Sequence, residues 1–487
     1  MELRREDIRM NNLMDKIKKS FSNRKFKSGA YVSLVSAIVI VIIFVMNLIV
    51  SDLDLRVDFT SSYLYTLTDE TKELLADLEE DVTIYYLVES GLESPIFKSI
   101  AEEFESYSNN ISLEQKDPVL YPQFAYQYID PDTEVNRNSF LVVNNNNDRA
   151  KYIDNNDLMV KEFNYNTFSF LTTGIDMEGQ VVSAIQYVVE ADLPVVYRTV
   201  GHNEIEIGSL FKAYMDKQNI SLNDLETLKV DSIPEDFAVL FINVPHTDFT
   251  DNEINMIKEY MSSGGDVLVI ADYTSKDLEN FQSLLEYYGL QFNDGIIIEG
   301  NSNMHMPNNP SSITPGIVNH DITKKLIDKG RFTLMELASG ITELDAIRSS
   351  LEISPLLVTS EESYGKTNVN SETLDKEEGD VDGPFYTGVL ATETFEGVTS
   401  NMVVYTSRAV FSDNFLNFYG NEDILSGTFA FLTDKVSETT IPSKNILPRY
   451  AYVTQQQAIF WGVIAIVVLP VLFLATGAFV GIRRRRG

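Results

Sequence analysis

Cysteine is absent from all 487 residues. That excludes disulfides, thiolate metal sites, iron–sulfur clusters and a cysteine nucleophile. Histidine numbers four, so a multi-histidine metal centre would consume most of the supply. Tryptophan occurs once, against 24 Tyr and 28 Phe, an aromatic set suited to a core more than to sugar platforms. That weighs against a two-carboxylate glycosidase despite the many acids. Cations are scarce too: 38 Lys+Arg face 72 Asp+Glu, a formal net charge of −34. A phosphate-backbone binder needs a basic face, so nucleic acid is not an expected partner. No G-x-x-x-x-G-K-[ST] loop occurs, so the chain cannot by itself be the ATPase of a transporter. No G-x-S-x-G nucleophile elbow occurs either.

What is present is unevenly placed. Hydrophobic residues make up 44% and charged residues 23%, as in an ordinary globular chain, and wholesale disorder is excluded. Residues 1–28 hold nine basic and four acidic side chains, a basic tail. Residues 29–50 then carry no charge, and as a helix they reach about 33 Å, enough to cross a hydrocarbon core. A second uncharged run spans 458–482 and is followed at once by Arg483 to Arg486, the tail 483–487. The long basic lead, the length of the first run and the lack of an A-x-A site favour a retained anchor over a cleaved signal peptide. The positive-inside rule places both termini in the cytoplasm and residues 51–457 outside, a two-pass chain in the lipid bilayer. The outer segment holds 25 basic against 68 acidic residues, about −43, a surface suited to extracytoplasmic solvent. Two spans form no transport path alone, so a transport role requires other chains.

Residues 52–190 read as a small α/β domain. Thr68 caps a helix with Asp69 and Glu70 in its first turn and Leu74, Leu75 and Leu78 on one face, ending near Asp81. VTIYYLV (82–88) is a strand, 95–107 a helix with Ile96, Ile100, Phe104 and Tyr107 on one face, and 111–118 a strand. Asn144 to Asn147 turns between strands 139–143 and 150–153. Residues 192–440 read as a second domain, with buried strands predicted at 195–200, 238–244 and 266–272. Thr250 to Glu253 is a capping box opening a helix with Ile254, Ile257 and Met261 inward, ended by Gly264-Gly265. Lys276 to Tyr288 is a helix with Leu278, Phe281, Leu284 and Leu285 inward. Strands alternating with helices at this spacing predict right-handed βαβ units, a parallel sheet and a flavodoxin-like or doubly wound layer. Residues 299–316 read as loop and 360–384 as a mobile acidic loop. Strands at 386–393 and 401–406 and a helix at 421–433 close the domain.

The stretches YLYTLTDE (63–70), VTIYYLV, KDPVLYP, VGHNE (200–204), 233–272, SPLLVTSEESY (354–364) and 408–425 together resemble the gliding-motility-type ABC transporter auxiliary proteins, the GldG-like family. The resemblance covers most of 52–435 plus the C-terminal span. VGHNE is similar to the family's Gly-His-Gly-Glu turn, with Asn203 at the second Gly. The resemblance implies a non-catalytic partner of a separate ABC ATPase and a polytopic permease. It also implies a second domain resembling a glutamine-amidotransferase-like α/β layer without its nucleophile.

In an open parallel sheet, ligands sit at the C-terminal ends of the strands. That edge offers His202 and Glu204, then His246 and Asp248, then Asp272 and Thr274. These residues form a candidate recognition cleft, and two histidines with three carboxylates could also hold a divalent metal or an acid/base pair. The opposing reading makes them turn formers, caps and solvated polar groups. No cofactor is expected. The favoured function is a membrane-anchored auxiliary subunit whose ectodomain recruits or gates substrate. A stand-alone surface module for peptide, glycan or cation, and a metal-assisted hydrolase using the His202/His246 edge, are the alternatives.

Overall fold

Each buried strand of the large sheet carries apolar residues at both parities, so both of its faces need a cover. The computed structural model describes residues 24–52, 58, 60, 62–164, 169–234, 239–275, 277–371, 373–417, 419–433, 441–447 and 455–486. The basic residues 1–23, Gly487, and the expected starts of a strand at Ala238 and a helix at Lys276 lie outside them. The chain divides into two units, 1–64 and 65–487. In the first, Arg24–Asp52 is one helix of 29 residues, with exposed side chains along its apolar stretch Ser33–Leu48.

In the second unit the Thr68 side chain accepts from the Thr71 N–H and opens the helix Asp69–Ala76. That helix stops earlier than the expected Asp81, and Leu78 is buried beyond its end. Strands β1 (Val82–Leu87), β2 (Ile111–Lys116), β3 (Ser139–Asn144) and β4 (Ala150–Ile153) form a sheet of order β2-β1-β3-β4. The helix Pro95–Tyr107 is the crossover between the parallel pair β1 and β2. Its buried stripe is Phe97, Ile100, Ala101 and Phe104, whereas Tyr107, expected inward, is 47% exposed. Strands β5 (Met159–Asn164) and β6 (Ser169–Ile175) form a hairpin that also pairs with Lys444–Asn445. The helix Met177–Val189 follows.

The large sheet contains β7 (Val195–Val200), β8 (Ser221–Glu226), β9 (Val239–Asn243) and β10 (Asp266–Ile270), parallel in the order β8-β7-β9-β10. The strand Val398–Tyr405 continues that parallel set beside β10. Beyond it the sheet is antiparallel, through Tyr386–Phe395, Gly340–Glu343, Leu351–Val358 and Leu290–Asn293. The expectation of a wholly parallel sheet is thus corrected to a ten-stranded mixed one. The physical reason is the two-residue turn Glu396-Gly397, both left-handed (φ 52° and 88°), which reverses the chain into a hairpin where a crossover was expected.

Side-chain alternation divides the core in two. Phe241, Leu268, Ile270, Val403 and Tyr405 face the helices Ser209–Lys217 and Asn421–Thr433. Leu240, Ile242, Val267, Val269 and Val404 face the helices Asp251–Ser262 and Glu279–Tyr287. The predicted inward residues Ile254, Ile257, Met261, Leu278, Phe281, Leu284 and Leu285 all lie in this second core. Full burial of each such side chain contributes roughly 1.5–3 kcal/mol. The helix Asp251–Ser262 ends as the glycine pair requires: Gly264 is left-handed at φ 97°, and a Cβ on Gly265 would meet the Tyr260 ring at 2.3 Å.

The expected loop 299–316 contains paired strands at His305–Met306, Asn309–Ile313 and Gly316–Ile317. The acidic segment 360–384 is paired at both ends, Tyr364–Lys366 with Ile296–Ile298 and with Val381–Asp382. The buried Lys366 meets Glu377 at 2.8 Å and Asp380 at 3.4 Å beneath it. Near the C-terminus, helix Gln455–Val463 passes through a π-turn, Ile464–Val468, into Leu469–Arg486. Pro470 supplies the cause, since it lacks an N–H and its ring crowds the preceding turn. Within this helix Ile459–Arg483, 25 residues, is by length and composition the one helix among the described residues able to cross a membrane.

Candidate functional site

The strand order reverses between β7 and β9, so any crevice for a ligand should open between the loops that follow them. Those loops are instead sewn together. Ile205 N–H donates to Asn243 O at 3.2 Å, and His246 and Thr247 N–H both donate to His202 O at 2.9 Å. Asn243 Nδ2 donates to Ile205 O at 2.7 Å, and Asn203 Nδ2 to Thr247 Oγ1 at 2.7 Å. Asn203 itself is left-handed (φ 53°) beside Gly201 (φ 116°). Asparagine is among the few side chains that tolerate this region, so the turn survives where the resembled family has glycine.

His202 is buried and stacks on Phe249 with ring centroids 3.9 Å apart. Its Nδ1 lies 3.3 Å from Glu204 and its Nε2 3.2 Å from Glu253. Burial disfavours its charge, but the hydrogen bond it donates to Glu204 and the charge of Glu253 outweigh that and raise its pKa above 6.5. Both carboxylates are held below the usual 4.5, although burial opposes this: Glu204 by His202 and backbone N–H groups, Glu253 by Thr227 and Thr250. Glu253 therefore does two things. It completes the capping box with Thr250 and it holds the imidazolium. With a carboxylate on each ring nitrogen, His202 has no lone pair to offer a metal.

The helix N-termini at this edge, where anions bind in many α/β folds, are plugged by carboxylates of the chain itself. Asp413 accepts from Ser209 N–H at 2.8 Å and Leu210 N–H at 2.9 Å. Those bonds hold its pKa down against a desolvation that would raise it. Asp248 accepts from Asn280 N–H at 2.9 Å and Phe281 N–H at 3.0 Å, so it is a cap for the helix Glu279–Tyr287. Asp272 is fully buried, bonded by Arg408 Nε and by the Thr274 N–H at 2.8 Å. His246 is exposed. Its Nδ1 donates to Asn203 O at 2.8 Å and its Nε2 lies 3.2 Å from Thr274 Oγ1, which also receives Arg408 Nη2 at 3.0 Å.

The structure thus gathers the sequence-derived residues into three places: a buried His202–Glu204–Glu253 clasp, a helix cap at Asp248, and a His246–Thr274–Asp272–Arg408 cluster. Glu253 and Arg408 join them. Glu253 was visible only as a capping residue, while Arg408 could have been found from its place just past the end of the neighbouring strand Val398–Tyr405. A second buried node gave no spacing signal at all. Glu178 accepts from Thr68 N–H at 2.6 Å, Thr68 Oγ1 at 2.8 Å and Thr71 Oγ1 at 2.7 Å, and pairs with Lys444 at 2.7 Å. Lys444 also donates to Thr66 O. Desolvation opposes the Glu178 charge, yet Lys444 and these donors hold its pKa below 4.5. Among the described residues no group of three His, Asp or Glu side chains is arranged to hold a metal ion.

Residues 61–159 match a domain of unknown function (DUF7088), and residues 194–427 match the family described as ABC-type uncharacterized transport system. No curated protein matches the chain. Among solved structures, the mmIFT52 N-terminal domain is similar at 17% identity and a TM-score of 0.36, covering 49% of this chain and 97% of its own. A ThuA-like protein from Parabacteroides merdae is similar at 10% identity and a TM-score of 0.28, covering 52% of this chain and 97% of its own. Likenesses this low support no argument about fold or function. The match of residues 194–427 to the ABC-type uncharacterized transport system family is consistent with a GldG-like auxiliary protein.

Proposed function

We propose that this chain is a membrane-anchored, non-catalytic auxiliary subunit of an ABC-type transport complex of the gliding-motility kind. In this reading it is two-pass, with both termini in the cytoplasm and residues 51–457 outside. A separate ATPase and a separate polytopic permease are its partners. The outer body consists of a smaller α/β domain over 52–190 and a flavodoxin-like layer over 192–440. The parallel order β8-β7-β9-β10, continued by Val398–Tyr405, supports the latter, being the 2-1-3-4-5 arrangement of that class. The family match supports the transport association, and the C-terminal apolar helix supports the anchor.

One observation carries the non-catalytic role. The switch-point crevice is stitched closed, and the helix N-termini beside it are occupied by Asp413, Asp248 and Glu253 of the same chain. A metal-assisted hydrolase would need free donors there, and both ring nitrogens of His202 and of His246 are engaged. Of the candidate cleft, His246 is exposed and Asp248 partly so, with the partly exposed Arg408 beside His246, and substrate recruitment by the outer body uses that rim. Affinity purification of the tagged full chain from native membranes in mild detergent is expected to bring an ATPase and a permease in fixed ratio. Recovery of the lone chain from repeated preparations would contradict the reading.

A further inference from the structure

A groove of about 580 Å³ lies between the helices Asp69–Ala76 and Met177–Val189. Its floor is apolar, built from Leu74, Ile185 and Val189. Ile185 is buried, while Leu74 and Val189 remain half-open to solvent. Its rim is acidic. Glu70, Glu73 and Asp77 stand on one wall at helical spacing, all exposed, and Glu190 stands on the other. Lys72, one turn away, is drawn to Asp69 at 3.1 Å. The size falls within the range of recognition sites, and the apolar floor is what an anchoring side chain needs.

We infer that this groove docks a basic amphipathic segment of a partner protein, its apolar residues against the Leu74–Val189 floor and its lysines or arginines along the carboxylate rim. Charge complementarity selects this occupant. A second copy of this body would bring a strongly acidic surface to an acidic rim, and anionic lipid would be repelled in the same way. An amphipathic helix reads such a groove through residues spaced i, i+4 and i+7. The inference is independent of the transport reading, because it rests only on the lining of the groove.

The test uses the full chain in detergent and a labelled synthetic helix of about 14 residues, with leucines at that spacing and lysines beside them. Saturable, salt-sensitive binding is expected. The triple variant Glu70→Gln, Glu73→Gln, Asp77→Asn is expected to weaken it at least about tenfold. The triple variant Glu259→Gln, Glu279→Gln, Glu286→Gln removes the same charge from other helices and is expected to leave it unchanged. These residues are exposed, so folding survives in both variants and can be checked by circular dichroism. Equal losses in the two triples, or equal binding of a scrambled peptide without the leucine stripe, would assign the binding to net charge and overturn the inference.

Discussion

The His202 clasp and Asp266 have consequences that titration can reach. The His202 imidazolium clasped by Glu204 and Glu253 has a raised folded pKa, so its stabilisation is fully present below about pH 6.5 and fades as pH climbs through the folded value. The two carboxylates have lowered folded values, so theirs is present above about 4.5 and is lost as pH falls through those values. His202→Ala leaves two buried carboxylates facing each other. It should cost about 3 kcal/mol near pH 6 and less near pH 9, measured as the difference in denaturant midpoints. Asp266 is the opposite case. Burial pushes its pKa up to about 7, against donation from Asn401. Its ionisation therefore drains stability between about pH 4 and 7, and Asp266→Asn should stabilise the protein by roughly 1–3 kcal/mol above pH 7 while changing little at pH 4. Glu178→Gln would leave Lys444 buried beside a neutral amide. A loss of about 2 kcal/mol is expected, with faster amide exchange at 66–71 and 441–447, the segments that this carboxylate joins.

At the scale of elements, the helix caps carry the prediction. Asp248→Asn and Asp413→Asn weaken charged caps and should each cost about 0.5–2 kcal/mol in thermal unfolding, without altering the far-ultraviolet spectrum. Gly265→Ala should cost more than a solvent-facing alanine, because its methyl enters the Tyr260 ring. Elements with strong local chemistry were readable in the chain. The capping box at Thr250, the strand Val195–Val200 and the helix Asn421–Thr433 stand where their patterns put them. Elements defined by distant pairing were not. The short strands at 305–317 (HM, NPSSI and GI) carry no period to find, and they exist because they pair with one another and with Met335–Glu336 and Leu351–Val358. The antiparallel half of the sheet was hidden for the same reason: both strands of the 386–405 hairpin were visible, but their partners were not. Of the candidate site, the residue types at the sheet edge were legible. What each carboxylate was committed to, a cap, an imidazolium or an arginine, depended on loops that meet only in the fold.

At the scale of the whole molecule, the polar groups described at the C-terminal edge of the parallel strands bond to one another and to neighbouring loops. His202, Asp248, Asp413 and Glu253 are each bonded to a neighbouring loop or helix end. The central claim is that this acidic body stands outside the membrane, tethered at both ends. Its most direct test is protease added to intact cells, followed by detection of tags at each terminus. The account predicts that the body between residues 51 and 457 is cut while both tagged ends remain protected. A body that stays whole until the cells are lysed would contradict it.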